Sequence, residues 1–448
     1  MTKPRYEPPT IARHARGMMN KLARAKSIQP MTHIDGVAVE ALVERFGSPL
    51  FVFSEKTLKA RHSDLQGAFG RRWPKVQTAW SYKTNYLDAI CRVFHRAGAW
   101  AEVVSELEYD KARRLEVPGS RILFNGPFKP ENALAKAFRD GARVHLDNFD
   151  EIQRAEKVAR EIGVRPKVTI RLNMTVAGVP LWGRFGFNLE NGQALDAVRR
   201  IVTGGMLDVA GLHCHLGTFI QDTEAYRDEA RNLAVFANEL KAELGIEVDA
   251  IDIGGGFASR NTLHAQYLPG EQTTPSFGQY AEAVAEGLDS LVVEPGHEPT
   301  LFLETGRSLV DEAGYLIATV HANKRLPDGR KSLVIDAGVN LLFTAFWYKH
   351  DVVPAAEFRG TPEATVIHGP LCMNIDTMRE HLLFPPMETG SRLVFRSVGA
   401  YNVTQWLQFI TARPAVVLVS TSGETALIRH AETLDTLVSL EEVPEWLR

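Results

Sequence analysis

Thr78-Ala79-Trp80-Ser81-Tyr82-Lys83-Thr84-Asn85 is an apolar, aromatic run that reads as a buried strand closing on a lysine. An amphipathic helical stretch follows from about Tyr86 to Ala97. A lysine at the carboxyl end of a buried strand is costly to desolvate. Such a residue is placed there when its amine must act as a nucleophile, most often for a Schiff base. For an isolated lysine, a strand-end side chain reaching to solvent is the commoner explanation, so the rest of the chain decides.

The same unit recurs from Thr78 to Arg307: a short apolar strand, a polar turn, then a helical stretch. Strands are expected at 78–83, 100–105, 121–125, 143–147, 167–172, 209–215, 250–253 and 300–304. Helical stretches between them include Glu108–Leu115, Pro130–Arg139, Asp150–Ile162 and Tyr226–Leu244. Strictly alternating strands and helices imply a parallel sheet with right-handed crossovers. Eight such units in about 230 residues suit a closed (β/α)8 barrel, with an open doubly wound sheet as the alternative. After Arg307 the segments 309–323, 332–337, 364–368, 392–397 and 415–420 are β-rich and split by Gly, Pro and charged turns. They predict a second, mostly antiparallel β domain. The expected organisation is a basic N-terminal extension (1–36), a first strand of the β domain around Phe51 (37–56), the barrel (57–308) and the C-terminal β domain (309–448).

The gross numbers exclude other classes. The chain has 448 residues, enough for two substantial cores. Its formal net charge is -3, so no overall field attracts nucleic acid or a membrane surface. No apolar run is long enough to span a bilayer. The first 30 residues carry Lys3, Arg5, Arg13, Arg16, Lys21, Arg24 and Lys26 without the apolar core of a secretion signal. Cys91, Cys214 and Cys372 are too widely spaced for a disulfide framework or a zinc site, and suit a reducing cytoplasm.

Unusual motifs cluster at the expected strand ends, where barrel enzymes carry their chemistry. Gly254-Gly255-Gly256 follows the seventh strand; without Cβ atoms its N–H groups can approach an anion closely. Glu304-Thr305-Gly306-Arg307 closes the eighth strand, with a carboxylate that is costly to bury unpaired. It serves either a structural ion pair or a cationic ligand group. In the sixth strand, alternation puts His213 and His215 on one face and Cys214 on the other, toward the helices. Two inward histidines could bind a metal. No third ligand is apparent at strand-end spacing, so a flat imidazole against a planar cofactor ring is the preferred reading and no metal is expected. In the β-rich part, Gly369-Pro370-Leu371-Cys372 and Gly399-Ala400-Tyr401 place a cysteine and a tyrosine in tight turns.

Together these motifs resemble the fold-type III pyridoxal-phosphate (PLP) decarboxylases, the diaminopimelate and ornithine/arginine decarboxylase group, whose barrel is shared with alanine racemase. The resemblance runs from about Gly47 to Pro414, with the motifs in the family's order. It implies Lys83 as the lysine that binds PLP, and His215 as the imidazole stacked on the ring. Gly255, Gly256, Thr218 and Tyr401 would be phosphate contacts, and Glu304 the partner of the pyridine nitrogen. Arg307 would contact phosphate or a substrate carboxylate. Cys372 would approach from a second subunit and protonate the product, in a homodimer with shared active sites. A glutamate at the ring nitrogen makes PLP a strong electron sink. It argues for decarboxylation over racemisation, and the retention of Lys83 and Cys372 argues against a non-catalytic relative. The chain departs from the pattern at Met373, where the family has the acid that holds the substrate's distal amine; Asp376 is the nearby candidate to replace it. Val403-Thr404-Gln405-Trp406 and Phe346-Trp347-Tyr348-Lys349-His350 are bulkier than expected of a substrate wall. The substrate is therefore an amino acid that is either diaminopimelate or a modified or carrier-bound relative from specialised metabolism, such as siderophore or antibiotic biosynthesis.

Overall fold

The computed structural model describes residues 28–448, so most of the basic extension expected at 1–36 lies outside the described residues. The described chain divides into two compact units. The first comprises Lys59–Ser259 and Thr273–Leu309, and the second 28–58, Arg260–Gln272 and Val310–Arg448.

The first unit is a closed barrel of eight parallel strands. They are β1 (Val76–Ser81), β2 (Trp100–Val103), β3 (Ile122–Phe124), β4 (Arg143–Leu146), β5 (Lys167–Asn173), β6 (Asp208–Cys214), β7 (Ala250–Asp252) and β8 (Thr300–Leu303). Each pairs with the next in sequence, and β8 returns to β1. Their residues are buried on both faces, so the strands read as nearly continuous apolar runs. The helices between them form for local reasons. Ser105 accepts the Glu108 N–H at the start of Glu106–Arg114, and Asn148 accepts that of Glu151 at the start of Phe149–Ile162. Gly163, at φ +70°, ends the second of these.

Strand alternation builds the barrel interior in layers. Ala79, Leu123, Ala250 and Phe302 form a dry apolar cluster with Trp100 packed against it. Two residues further along the chain from these stand Ser81, Asn125, Asp252, Glu304 and Glu102, and they are joined by His145 of β4 and by His213 of β6, whose rings lie 4.9 Å apart, with Arg171 of β5 paired beside His213. Thus a plug of apolar side chains supports a buried polar layer at the carboxyl end.

Lys83 does not close β1. The strand ends at Ser81, and Tyr82–Thr84 form a 3₁₀ turn in which Tyr82 and Thr84 are buried and Lys83 is partly exposed. The aromatic pattern continues past the strand because Tyr82 is itself buried, its hydroxyl 2.8 Å from His95 Nε2.

The second unit is a mostly antiparallel sheet. Leu50–Ser54 lies between Gly314–Arg325 (antiparallel) and Ala415–Val419 (parallel). A second parallel pairing joins Lys331–Ile335 to Glu363–His368. Leu50, Val52, Ile317, Val394 and Val417 share one core with Val39 and Leu42 of the helix Val39–Phe46. Residues expected to start a strand at Leu309 instead complete a helical turn, Arg307–Val310, and the 3₁₀ turn Asp311–Ala313, before the strand begins at Gly314. Strands at Val352–Pro354, Thr377–Phe384 and Thr425–Arg429 add to those expected. The last two are half exposed, with mixed polar composition and hence a weak sequence signal.

Candidate active site

One side of the polar layer is a connected network. Glu102 Oε2 accepts the Ser81 hydroxyl at 2.6 Å and the Lys83 amine at 2.7 Å. Glu102 Oε1 accepts from Asn125 Nδ2 at 3.2 Å, and the same amide donates to Glu304 Oε1. A single asparagine thus links the carboxylate beside Lys83 to the one that ends β8. Glu102 is fully buried and Glu304 nearly so, which makes these charge-assisted contacts strong.

Around Glu304 stand two imidazoles. His213 Nε2 is 3.3 Å from Glu304 Oε2, and His145 Nδ1 is 3.9 Å from Glu304 Oε1. His145 Nε2 in turn lies 4.0 Å from Asp252 Oδ2. Burial pushes both histidines well below their ordinary pKa, with the neighbouring His213 adding to the effect on His145. Burial, and then Glu304, push Asp252 well above the ordinary range of an aspartate. This corrects the expectation that His213 lacks further ligand-type neighbours. His145, His213, Asp252 and Glu304 bring possible ligand atoms within 4.8 Å of one another.

The strand ends next to Glu304 form a crevice lined by backbone. Gly254 donates its N–H to Asp252 Oδ1 at 2.8 Å, and its carbonyl accepts from Glu304 N at 2.7 Å. A Cβ on Gly255 would sit 2.3 Å from the Glu304 carbonyl oxygen, and one on Gly256 (φ +89°) 2.4 Å from that of Gly217. Only glycine fits this turn. Ile220 N donates to Gly256 O at 2.9 Å and so anchors the loop that carries exposed Thr218. Arg307 packs over the Phe219 ring of that loop, 5.8 Å from its centroid. His215 accepts the Gly255 N–H on Nδ1 at 3.1 Å, with the Trp182 ring edge-on at 5.5 Å. Burial and the nearby Lys83 charge lower its pKa to about 3, so it is a neutral plate at ordinary pH. Cys214 is buried on the other face, next to Glu229 of helix Thr223–Leu244, as alternation predicts.

The barrel therefore gathers Lys83, His215, Thr218, Gly255, Gly256, Glu304 and Arg307 at the carboxyl end of its strands. The family model described as "Pyridoxal-dependent decarboxylase, pyridoxal binding domain" matches residues 55–311, more than half of the chain. This chain belongs to the pyridoxal-dependent decarboxylases. The diaminopimelate decarboxylase of Methanocaldococcus jannaschii is 31% identical, over 92% of this chain and 95% of its own. That of Bacillus subtilis is 28% identical over 91% and 94%. The crystal structure of the M. jannaschii enzyme with L-lysine superposes with a TM-score of 0.85 at 29% identity, covering 94% of this chain and 98% of that one. The fold is that of this family, a (β/α)8 barrel with a separate, mostly antiparallel β unit, and the cofactor is pyridoxal phosphate.

The decarboxylase's own residues suit that cofactor. It needs an amine, a partner for its ring nitrogen and a place for a phosphate. Lys83, Glu304 and the glycine-only crevice are of those three kinds, and they lie on adjoining strand ends. In the second unit, Cys372 and Met373 lie on an exposed turn. Asp376 is buried beneath it, accepting Val339 N on Oδ1 at 2.8 Å and Leu371 N on Oδ2 at 2.7 Å. This corrects its expected role: Oδ2 holds the Gly369–Leu371 turn and Oδ1 the Val339 N–H, so Asp376 is buried and engaged in the fold rather than presented as the carboxylate that Met373 lacks. Tyr401 has φ +65° in a turn held by Asp311, which accepts Ala400 N at 3.2 Å. The aromatic run 346–350 splits: Phe346 and Trp347 are exposed, whereas Tyr348 and His350 are buried, His350 Nε2 lying 2.8 Å from the Thr344 hydroxyl. Among the described residues no helix is long and apolar enough to cross a membrane.

Sequence reasoning missed Glu102, Asn125, His145 and Asp252. The signal was present: each is the polar residue at or next to the end of an otherwise apolar strand, two places after an inward-facing residue.

Proposed function

We propose that this decarboxylase removes the α-carboxyl group of a diaminopimelate-type amino acid, a long substrate with a second functional group at its far end. The observation that carries the reading is the run of contacts from Lys83 through Glu102 and Asn125 to Glu304, which joins an amine to a buried carboxylate on one barrel face. Relatives named diaminopimelate decarboxylase align over nearly the whole chain and support the substrate class.

Bound pyridoxal phosphate supplies an electron sink for the carbon that loses CO2. Lys83 would hold the cofactor through its amine, and Glu304 would pair with its ring nitrogen. His215 would stack on the ring, and being neutral it would add no charge there. Gly255, Gly256, Thr218 and Tyr401 bind the phosphate, while Arg307 binds phosphate or the substrate carboxylate. Cys372 from a second copy of the chain would supply a proton from its Sγ to the product, so the working unit would be a homodimer. A reducing cytoplasm suits the free thiols of Cys91, Cys214 and Cys372.

One observation favours a modified substrate as a second reading. Met373 is exposed where an acid would meet a distal ammonium ion, and Asp376 is engaged beneath it. A distal end that is acylated, carboxylated or carrier-bound has no cation to match. A CO2-release screen of the PLP-loaded enzyme separates the two. The panel holds meso-diaminopimelate, lysine, ornithine, arginine and acylated or carboxyalkylated forms, with products identified by mass. Release from diaminopimelate supports the first reading, and release only from a modified form supports the second. Silence across the panel with bound cofactor contradicts the first reading and leaves a carrier-bound substrate or racemisation.

A further inference from the structure

The floor of the polar layer holds a group the reaction does not call upon. His145 is 1% exposed, and neither ring nitrogen has a hydrogen-bond partner. Asp252 Oδ2 and both nitrogens of His213 are likewise buried without one. So many unsatisfied polar atoms in one place call for a reason, because each costs about 1–3 kcal/mol. Their arrangement suggests one. The His145 ring lies between two buried carboxylates, with Nε2 toward Asp252 and Nδ1 toward Glu304.

We propose that His145, backed by Asp252, is a positioning residue that holds Glu304 as a charged acceptor for the cofactor's ring nitrogen. This rests on the assignment of Glu304 to that nitrogen.

The donors and acceptors fit one directed chain. Asp252 Oδ1 already accepts the Gly254 N–H, which leaves Oδ2 as the oxygen that carries a proton. Burial and Glu304 favour that protonated form. A protonated Oδ2 would face His145 Nε2 across 4.0 Å, which would favour the tautomer with hydrogen on Nδ1, and that N–H would face Glu304 Oε1 across 3.9 Å. Closing each gap by ~1 Å brings both contacts to hydrogen-bond length. Asn125 supports the same Glu304 oxygen, and His213 Nε2 lies beside the other. Glu304 thus has nitrogen groups of Asn125, His145 and His213 on several sides. The remaining charges facing the cluster are Lys83, Lys129, Arg143 and Arg171, with Glu102 opposite.

The test loads variants with PLP whose ring nitrogen is isotopically labelled and reads that nitrogen by NMR, together with cofactor affinity and a metal analysis of the purified protein. His145→Leu should weaken PLP binding on the order of 10-fold and move the ring-nitrogen signal toward the unprotonated form. His145→Asn, which keeps a donor, should recover most of both. Asp252→Val should behave like His145→Leu. Asp252→Asn should retain cofactor affinity, because its amide accepts from Gly254 and donates to His145 as a protonated aspartate does. Circular dichroism identifies any variant that fails to fold, and the Asp252 pair then carries the comparison. An unchanged ring signal in folded His145→Leu or Asp252→Val, with a shift in Glu304→Gln, overturns the role of His145 alone. An unchanged signal in Glu304→Gln removes the underlying assignment as well. A stoichiometric divalent metal in the wild type that disappears in His145→Leu overturns the proposal in favour of a metal site.

Discussion

The amine of Lys83 lies 2.7 Å from Glu102 Oε2, and that oxygen also accepts the Ser81 hydroxyl at 2.6 Å. Lys83 is partly exposed while Glu102 is fully buried, so the carboxylate is the fixed member of the pair. It can draw the amine into the barrel mouth and hold it there. Glu102→Gln keeps the shape but loses the charge. It should lower turnover about 10-fold and slow the uptake of PLP by cofactor-free enzyme, with little change in melting temperature. Wild-type uptake and turnover would mean the ion pair is incidental.

Glu304→Gln separates binding from chemistry. The phosphate crevice and Lys83 would remain, so PLP affinity should fall only about 10-fold and occupancy at saturating PLP should stay near that of wild type. On the proposed pairing of Glu304 with the ring nitrogen, the charge that would support a protonated ring is lost, so kcat should fall about 100-fold. Cofactor content by absorbance and CO2 release on the same sample give both values. Equal losses in the two would assign Glu304 to binding only.

Glu229 is fully buried, and neither carboxylate oxygen is satisfied. Burial holds its pKa well above the ordinary value of 4.5, with the Cys214 thiol partly opposing the shift. The sign follows from linkage. An acid whose pKa is raised on folding contributes its full stability below pH 4.5. It loses that contribution as the pH climbs toward the folded value. Glu229→Gln does not titrate, so its advantage should be absent near pH 4.5 and grow toward neutrality, reaching about 1–2 kcal/mol. Melting temperatures at several pH values should show the variant gaining about 2–4 °C per kcal/mol. A pH-independent difference would contradict a neutral, buried Glu229.

These interior features show how the sequence encodes the site, and where it hides it. The barrel was legible because its short parallel strands are largely apolar and buried, and several of its helices begin at a polar cap, as at Ser105 and Asn148. Lys83, Gly254 to Gly256 and Glu304 stood out because lysine, repeated glycine and glutamate are costly or unusual at strand ends. His145 and Asp252 did not, since one polar residue in a short strand has many ordinary explanations. Their significance lies in register: β4, β6, β7 and β8 bring them level with His213 and Glu304, and register across non-neighbouring strands is set by closure of the barrel. Asp376 was misread for a related reason. Its proximity to Met373 in sequence suggested a substrate contact, but the tight turn folds it inward onto backbone N–H groups.

Met373 offers the most direct handle on specificity. Met373→Glu places a carboxylate on the exposed turn next to Cys372, where a distal ammonium ion could meet it. If the native substrate lacks that cation, the variant should gain at least about 10-fold in kcat/KM for meso-diaminopimelate and lose activity on the native substrate. Steady-state CO2 release with both substrates measures this. No gain would show that residue 373 does not face the distal end.

The account depends most on Lys83. The PLP-loaded enzyme should be reduced with borohydride, digested, and its peptides mapped by mass. The pyridoxyl group is expected on Lys83, and Lys83→Ala should yield protein with neither the label nor CO2 release. A label on another lysine, or full turnover in Lys83→Ala, would contradict the assignment of the active site to this end of the barrel.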